Sequence, residues 1–164
     1  MYPLPNFFTL RTVAWENGKV RLIDQSKLPE GLHYVKCKNY SEIAEAIKNM
    51  VVRGAPAIGV TGAMGMALAA LKSKATTKRS LLRDLERAQK VLDGTRPTAV
   101  NLSWATRRVL NVARSIEGEP RSIVEAVVEE AKMMADEDLE INRTLGRYGA
   151  SLLRNGDVVL THCN

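Results

Sequence analysis

Val52-Arg53-Gly54-Ala55-Pro56-Ala57-Ile58-Gly59 is the stretch from which the rest of the chain can be read. Pro56 suits the first position of a helix, where its missing N–H costs nothing and its fixed φ is already helical. A helix is therefore expected from about Pro56 to Leu71. The free amides of its first turn carry partial positive charge and suit an anion. Arg53 stands just ahead of them and can add a bidentate guanidinium, while Gly54 permits a tight turn and close approach of a ligand. Gly59, Gly62 and Gly65 recur every three residues and are expected near one helix face, open to another backbone. The spacing is not that of a dinucleotide-binding loop, and no strand precedes it. By itself the segment also fits a loop with an exposed arginine ahead of a tightly packed helix.

Gly94-Thr95-Arg96-Pro97-Thr98 repeats the arrangement, with an arginine directly before a proline that is expected to start a helix. Two such places in one small chain point to a phosphorylated or polyanionic ligand held between two helix N-termini. Thr98 and Asn101 are placed to add polar contacts to a sugar.

Upstream, the pattern is that of strands. Thr9 to Glu16 and Lys19 to Asp24 flank Asn17-Gly18, a dipeptide suited to a type I′ hairpin turn, and a third strand is expected around His33 to Lys38. Residues 1–39 thus read as a small antiparallel sheet that needs helices packed against it. Residues 40–154 read as helical. Ser41 serves as an N-cap, with Ile43, Ala44, Ile47 and Met50 as an apolar stripe. Further helices are expected over Ser80 to Asp93, ended by Gly94 at a C′ position, and from Pro97 to about Ile116. Ser122 and Glu125 form a capping-box pattern opening a long helix with Ile123, Val127, Ala131 and Met134 on one face. Helical character resumes through Leu145 and Leu153 until Asn155-Gly156.

Asp157-Val158-Val159-Leu160-Thr161-His162 then reads as a strand buried on both faces, the kind found in a parallel sheet. Such a strand needs neighbours and a crossover. The expected fold class is therefore an α+β domain, a small antiparallel sheet plus a helical bundle. Residues 155–164 begin an α/β domain whose remainder belongs to a missing C-terminal part or a second polypeptide.

An apolar share of 45% and a charged share of 26% place the chain among globular proteins. No stretch reaches the roughly 18 consecutive apolar residues of a membrane span. Met1-Tyr2-Pro3-Leu4-Pro5 lacks the basic start and apolar core of a secretory signal. Cys37 and Cys163 match no metal or redox spacing, so a cytoplasmic protein with reduced thiols and no metal is expected. The net charge of +6 owes much to Lys72, Lys74, Lys78 and Arg79. That run reads as a solvated loop tip, and the lack of interleaved aromatics speaks against nucleic acid. His33 is expected at the surface of the sheet and His162 in strand packing or beside the site.

Cys163 follows the terminal strand, where open α/β sheets place their ligands. A buried structural cysteine is the other reading of it, and Cys37 is read as structural. Three stretches carry a resemblance: Val52 to Gly59, Thr95-Arg96-Pro97-Thr98-Ala99-Val100-Asn101-Leu102, and Leu160-Thr161-His162-Cys163-Asn164. In this order they resemble motifs of the methylthioribose-1-phosphate isomerase family, whose regulatory relatives are the alpha, beta and delta subunits of translation initiation factor two B. The resemblance implies a C-terminal Rossmann-like domain and a homodimer. It implies that Arg53, Gly54, Ala55 and Arg96 bind the substrate's phosphate and sugar and that Cys163 is the catalytic acid/base. The implied reaction converts 5-methylthioribose 1-phosphate to 5-methylthioribulose 1-phosphate in methionine salvage, without a cofactor. The family's catalytic aspartate has no counterpart in these 164 residues, so the chain alone is expected to be inactive. A ribose-1,5-bisphosphate isomerase and a non-enzymatic regulatory subunit remain as alternatives.

Overall fold

The structure, a computed structural model, describes residues 10–162. Its elements are β1 (Val13–Glu16), β2 (Lys19–Ile23), a 3-10 turn (Gln25–Lys27), β3 (Tyr34–Cys37) and five helices. These are α1 (Tyr40–Lys48), α2 (Ala55–Lys72), α3 (Lys78–Asp93), α4 (Val100–Ser115) and α5 (Pro120–Ala150).

The sheet is antiparallel in the order β1-β2-β3, with Glu16 opposite Lys19 and Val20 opposite Cys37. Asn17 at φ 49° and Gly18 at φ 73° make the two-residue turn in the left-handed region that the dipeptide favours. The alternation of side chains sends Val20 and Leu22 inward, fully buried, and leaves Lys19 outside.

Everything packs around α2. Every residue from Ile58 to Ala70 is buried, so the helix has no solvent face along most of its length. It touches β1, β2 and all four other helices. A helix apolar all round must be enclosed. Its length and composition would suffice to cross a membrane, but 72% of it lies inside the protein. The three glycines do not share a partner. A Cβ on Gly59 would lie 3.0 Å from the Asn101 carbonyl oxygen, and one on Gly62 would lie 2.4 Å from Leu102. One on Gly65 would meet Ile43 and Leu92 instead. Three residues turn a helix by about 300°, so each step drifts by about 60°, and the small-residue stripe passes from α4 to the α1–α3 side.

Several expected boundaries move, each for a local reason. Asn39, not Ser41, caps α1: its Oδ1 accepts from the Glu42 N–H at 2.9 Å, and Glu42 reaches back to the Lys38 N–H at 2.7 Å. Met50 lies beyond the helix at φ 58° and is exposed rather than part of the stripe. Thr77 caps α3 in a reciprocal pair with Ser80, so the helix starts inside the basic run and the loop shrinks to residues 73–77. Gly94 is the cap residue of α3 at a right-handed φ of −68°, not a left-handed C′ glycine. Pro97 does not start α4. It lies in a turn closed by the Ala99 N–H donating to the Arg96 carbonyl at 2.9 Å, and the helix begins at Val100. The long helix starts at Pro120 with no side-chain cap, so Ser122 and Glu125 make no capping box.

The expected strand over Asp157 to His162 does not form. Val158 and Leu160 are 99% and 98% exposed, for a strand of this type has no edge beside it with which to pair. His162 is accordingly exposed rather than packed, and His33 lies at the surface as expected. The far end of α5 is also bare, with Ile141, Leu145 and Tyr148 exposed.

Cys37 is buried under α1, and burial together with Glu42 pushes its thiol up to about 11. Its thiolate is scarce near neutrality. At pH 8, peptide-resolved alkylation should label Cys37 at least ~100-fold more slowly in the native protein than in the unfolded chain. Separately, Gly59→Val places methyl groups against the α4 backbone and should destabilise by about 1–3 kcal/mol, read as a lower urea midpoint at unchanged m.

Candidate functional site at the α2 and α4 N-termini

The loop from Asn49 to Gly54 links α1 to α2. Val51 donates its N–H to the Ala46 carbonyl at 2.9 Å, and Val52 is fully buried. Burial of Val52 leaves Arg53 on the outside. Gly54 caps α2 at φ 90°, in the region that favours glycine, and a Cβ there would meet nothing within 4 Å. Conformation, not crowding, calls for glycine at this position. The first helical bond runs from the Ile58 N–H to the Gly54 carbonyl at 2.9 Å. The N–H groups of Ala55 and Ala57 precede it and have no carbonyl partner within the helix, while Pro56, the second helical residue, has no N–H to leave unpaired. Arg53, Gly54, Ala55 and Pro56 are all exposed.

Arg96 is presented by a compact turn. The Thr95 N–H and hydroxyl both donate to the Leu92 carbonyl, at 3.0 and 2.6 Å, before the chain turns through Pro97 and Thr98 into α4. Behind it, the Thr106 hydroxyl donates to Asp93 at 2.8 Å and receives the Gln89 amide at 3.4 Å, which ties the end of α3 to α4. Arg96 is half-buried, and Thr98 is exposed. Among the described residues neither Arg53 nor Arg96 pairs with a carboxylate.

The two arginine-bearing ends lie at the same end of the bundle. Gly59 faces Asn101, and Gly62 faces Leu102 and Thr106, so α2 and α4 advance together from their N-termini. Gly59 lies four residues, about 6 Å of helix, past Ala55, and Asn101 is the second residue of α4. Two sets of N-terminal amides, each with an arginine just ahead of it, therefore lie at one end of the bundle. Free amides and guanidiniums are donors of the kind a phosphate accepts from.

One neighbouring cleft is lined partly by the first turn of α2. About 190 Å³ in volume, it lies between Leu10–Val13, Ala57 and Val60, and Asp138 and Asn142 of α5. Desolvation raises the Asp138 carboxyl above its ordinary range, against the lowering effect of its hydrogen bond from Asn142. The composition of Asp138's surroundings gives no sequence signal, since they come from three separate segments. The same holds for Gln25, whose side-chain amide donates to the Arg53 carbonyl at 3.2 Å. No three His, Cys, Asp or Glu side chains among the described residues converge as a metal site would require. Cys163 lies outside the described residues.

Comparison with known proteins bears on the same segments. The model of the initiation factor 2 subunit family matches residues 51–164, from the loop before α2 onward. Methylthioribose-1-phosphate isomerase of Thermosipho africanus is 47% identical over 153 residues, covering 93% of this chain and 44% of that protein. The protein of the same name from Chloroflexus aurantiacus is 49% identical over 156 residues, 94% of this chain and 45% of its own length. Among solved structures, 5-methylthioribose 1-phosphate isomerase of Pyrococcus horikoshii superposes with a TM-score of 0.85 at 46% identity, over 89% of this chain and 41% of that one. The delta subunit of translation initiation factor eIF-2B from A. fulgidus gives 0.86 at 47% identity, over 95% and 45%. The chain thus spans less than half the length of these relatives. With its three-stranded sheet, its wrapped α2 and a family match over residues 51–164, the chain belongs to the initiation factor 2 subunit family.

Proposed function

We propose that the chain contributes the phosphate-binding half of an aldose–ketose isomerase that converts 5-methylthioribose 1-phosphate to 5-methylthioribulose 1-phosphate, the step its curated relatives are named for. The observation that carries this reading is the placement of Arg53 and Arg96 ahead of two helix N-termini at one end of the bundle. In it, Arg53, Arg96 and the amides of Gly54 and Ala55 hold the phosphate and sugar. The substrate's phosphate blocks its anomeric oxygen, so the ring must open with a proton delivered to the ring oxygen. A hydrogen then leaves C2 and one arrives at C1, with no net oxidation. Cys163 is the proposed acid/base for this transfer. A phosphate dianion nearby disfavours a thiolate, and the two arginines and helix dipoles offset that cost.

The same reading takes Val158 to Leu160 as an inner strand of a Rossmann-like domain, because the near-complete exposure of Val158 and Leu160 is relieved by strand pairing. It includes a homodimer in the cytoplasm, with a sugar phosphate rather than nucleic acid as ligand. The likeness to a translation factor subunit favours one further reading, a regulatory subunit without turnover.

Assay of ketose phosphate formation by the chain complemented with the C-terminal half that its relatives carry separates these. Cys163→Ser should lower kcat by at least ~100-fold. Arg53→Ala and Arg96→Ala should each raise KM by about 10- to 100-fold, the loss of one charge-assisted phosphate contact. Full activity in Cys163→Ser removes the acid/base assignment. Faster turnover of ribose 1,5-bisphosphate than of the methylthio sugar reassigns the substrate. Absence of turnover with either sugar in a fully folded protein supports the regulatory reading.

A further inference from the structure

The loop that presents Arg53 is gripped from outside by a single residue of the sheet region. The 3-10 turn after β2 is stiffened by Asp24, whose Oδ1 accepts from the Ser26 N–H at 3.0 Å and from its hydroxyl at 2.6 Å. From this turn Gln25 reaches the loop twice. Its backbone N–H donates to the Val51 carbonyl at 2.9 Å, and its side-chain Nε2 donates to the Arg53 carbonyl at 3.2 Å. The two bonds bracket Val52, whose side chain is fully buried beneath them.

The second bond has a directional consequence. A peptide group is planar and trans, so its carbonyl and its N–H point in opposite directions. Holding the Arg53 carbonyl toward Gln25 sets the Gly54 N–H to point away from Gln25. Glycine at φ 90° has a broad conformational range and does not fix this plane by itself. A tether on the preceding carbonyl removes that freedom before any ligand arrives.

We infer that Gln25 is a positioning residue: by holding the Arg53 carbonyl it orients the Arg53–Gly54 peptide so that the Gly54 N–H joins the amides of α2 in binding a phosphate group. This rests on the reading of Arg53 and Gly54 as phosphate ligands. Gln25 itself touches no ligand in this scheme.

The test is an amide-resolved NMR titration of the chain with inorganic phosphate, alongside thermal unfolding. Wild type should show saturable shifts at Gly54, Ala55 and Ala57. Gln25→Met keeps the side-chain length and the backbone bond to Val51 but removes the donor. It should move the Gly54 amide signal of the free protein and weaken phosphate binding about 3- to 10-fold, the scale of one net hydrogen bond, with Tm within about 2 °C of wild type. Gln25→Ala, the second variant, should behave alike. Unchanged affinity in both variants overturns the positioning role while leaving the phosphate site in place. A fall in Tm beyond about 5 °C in both, in proportion to the binding loss, also overturns it, since the glutamine would then act through stability alone. No response to phosphate in wild type overturns both the site and the role of Gln25.

Discussion

The enclosure of α2 is the constraint on which the rest of the molecule depends. A helix that is apolar on every face can be stable in water only if other elements cover it all round, and here a sheet and four helices do so. Burying apolar area at about 25 cal/mol per Å² favours this arrangement at every position from Ile58 to Ala70. The small residues of the helix set how close its neighbours come. With Gly59 and Gly62 facing it, α4 approaches nearer than larger side chains would allow.

A helix buried in this way has little to offer to chemistry except its ends. Its flanks are occupied by packing, and its C-terminal end at Leu71 and Lys72 leads into a short loop toward α3. The N-terminal end is different, with exposed residues from Arg53 to Pro56 and backbone amides that the helix cannot satisfy. Close packing with α4 then brings a second N-terminus to the same place. The proposed anion site is thus a consequence of core packing: the contact that buries Gly59 and Gly62 also sets Arg53 and Arg96 at one end. Farther along α4, Arg108 binds Glu130 and Glu137 of α5 and bridges the two helices. The guanidinium beside Glu137 holds that carboxyl below its ordinary range.

The pattern of residues made much of this legible. Asn17-Gly18 marked the hairpin because both of its residues must take positive φ, and both do. The helices were visible from their periodicity, and the arginines from their places ahead of helix starts. The misplaced boundaries share a cause. Pro97 fixes its own φ near −65°, a value common to the first residue of a helix and the second residue of a turn, and only the bond from Ala99 to Arg96 shows which was adopted. Asn39 displaced the expected cap of α1, and Thr77 moved the start of α3 ahead of Ser80, because each had a partner three residues on, Glu42 and Ser80, able to answer it.

What the sequence by itself determined was the kind of each element and the apolar character of α2, since these follow from local dihedral preferences and from spacing along one chain. Its family resemblance was equally a property of the linear motifs. What only the tertiary structure decided was which elements meet. The glycine stripe of α2 divides between α4 and the α1–α3 side because a three-residue step drifts around the helix. Gln25, a residue with no local signal, grips the Arg53 carbonyl from 28 positions away. The apolar run at Val158 to Leu160 stays exposed because a strand is completed by its neighbours and not by its own composition.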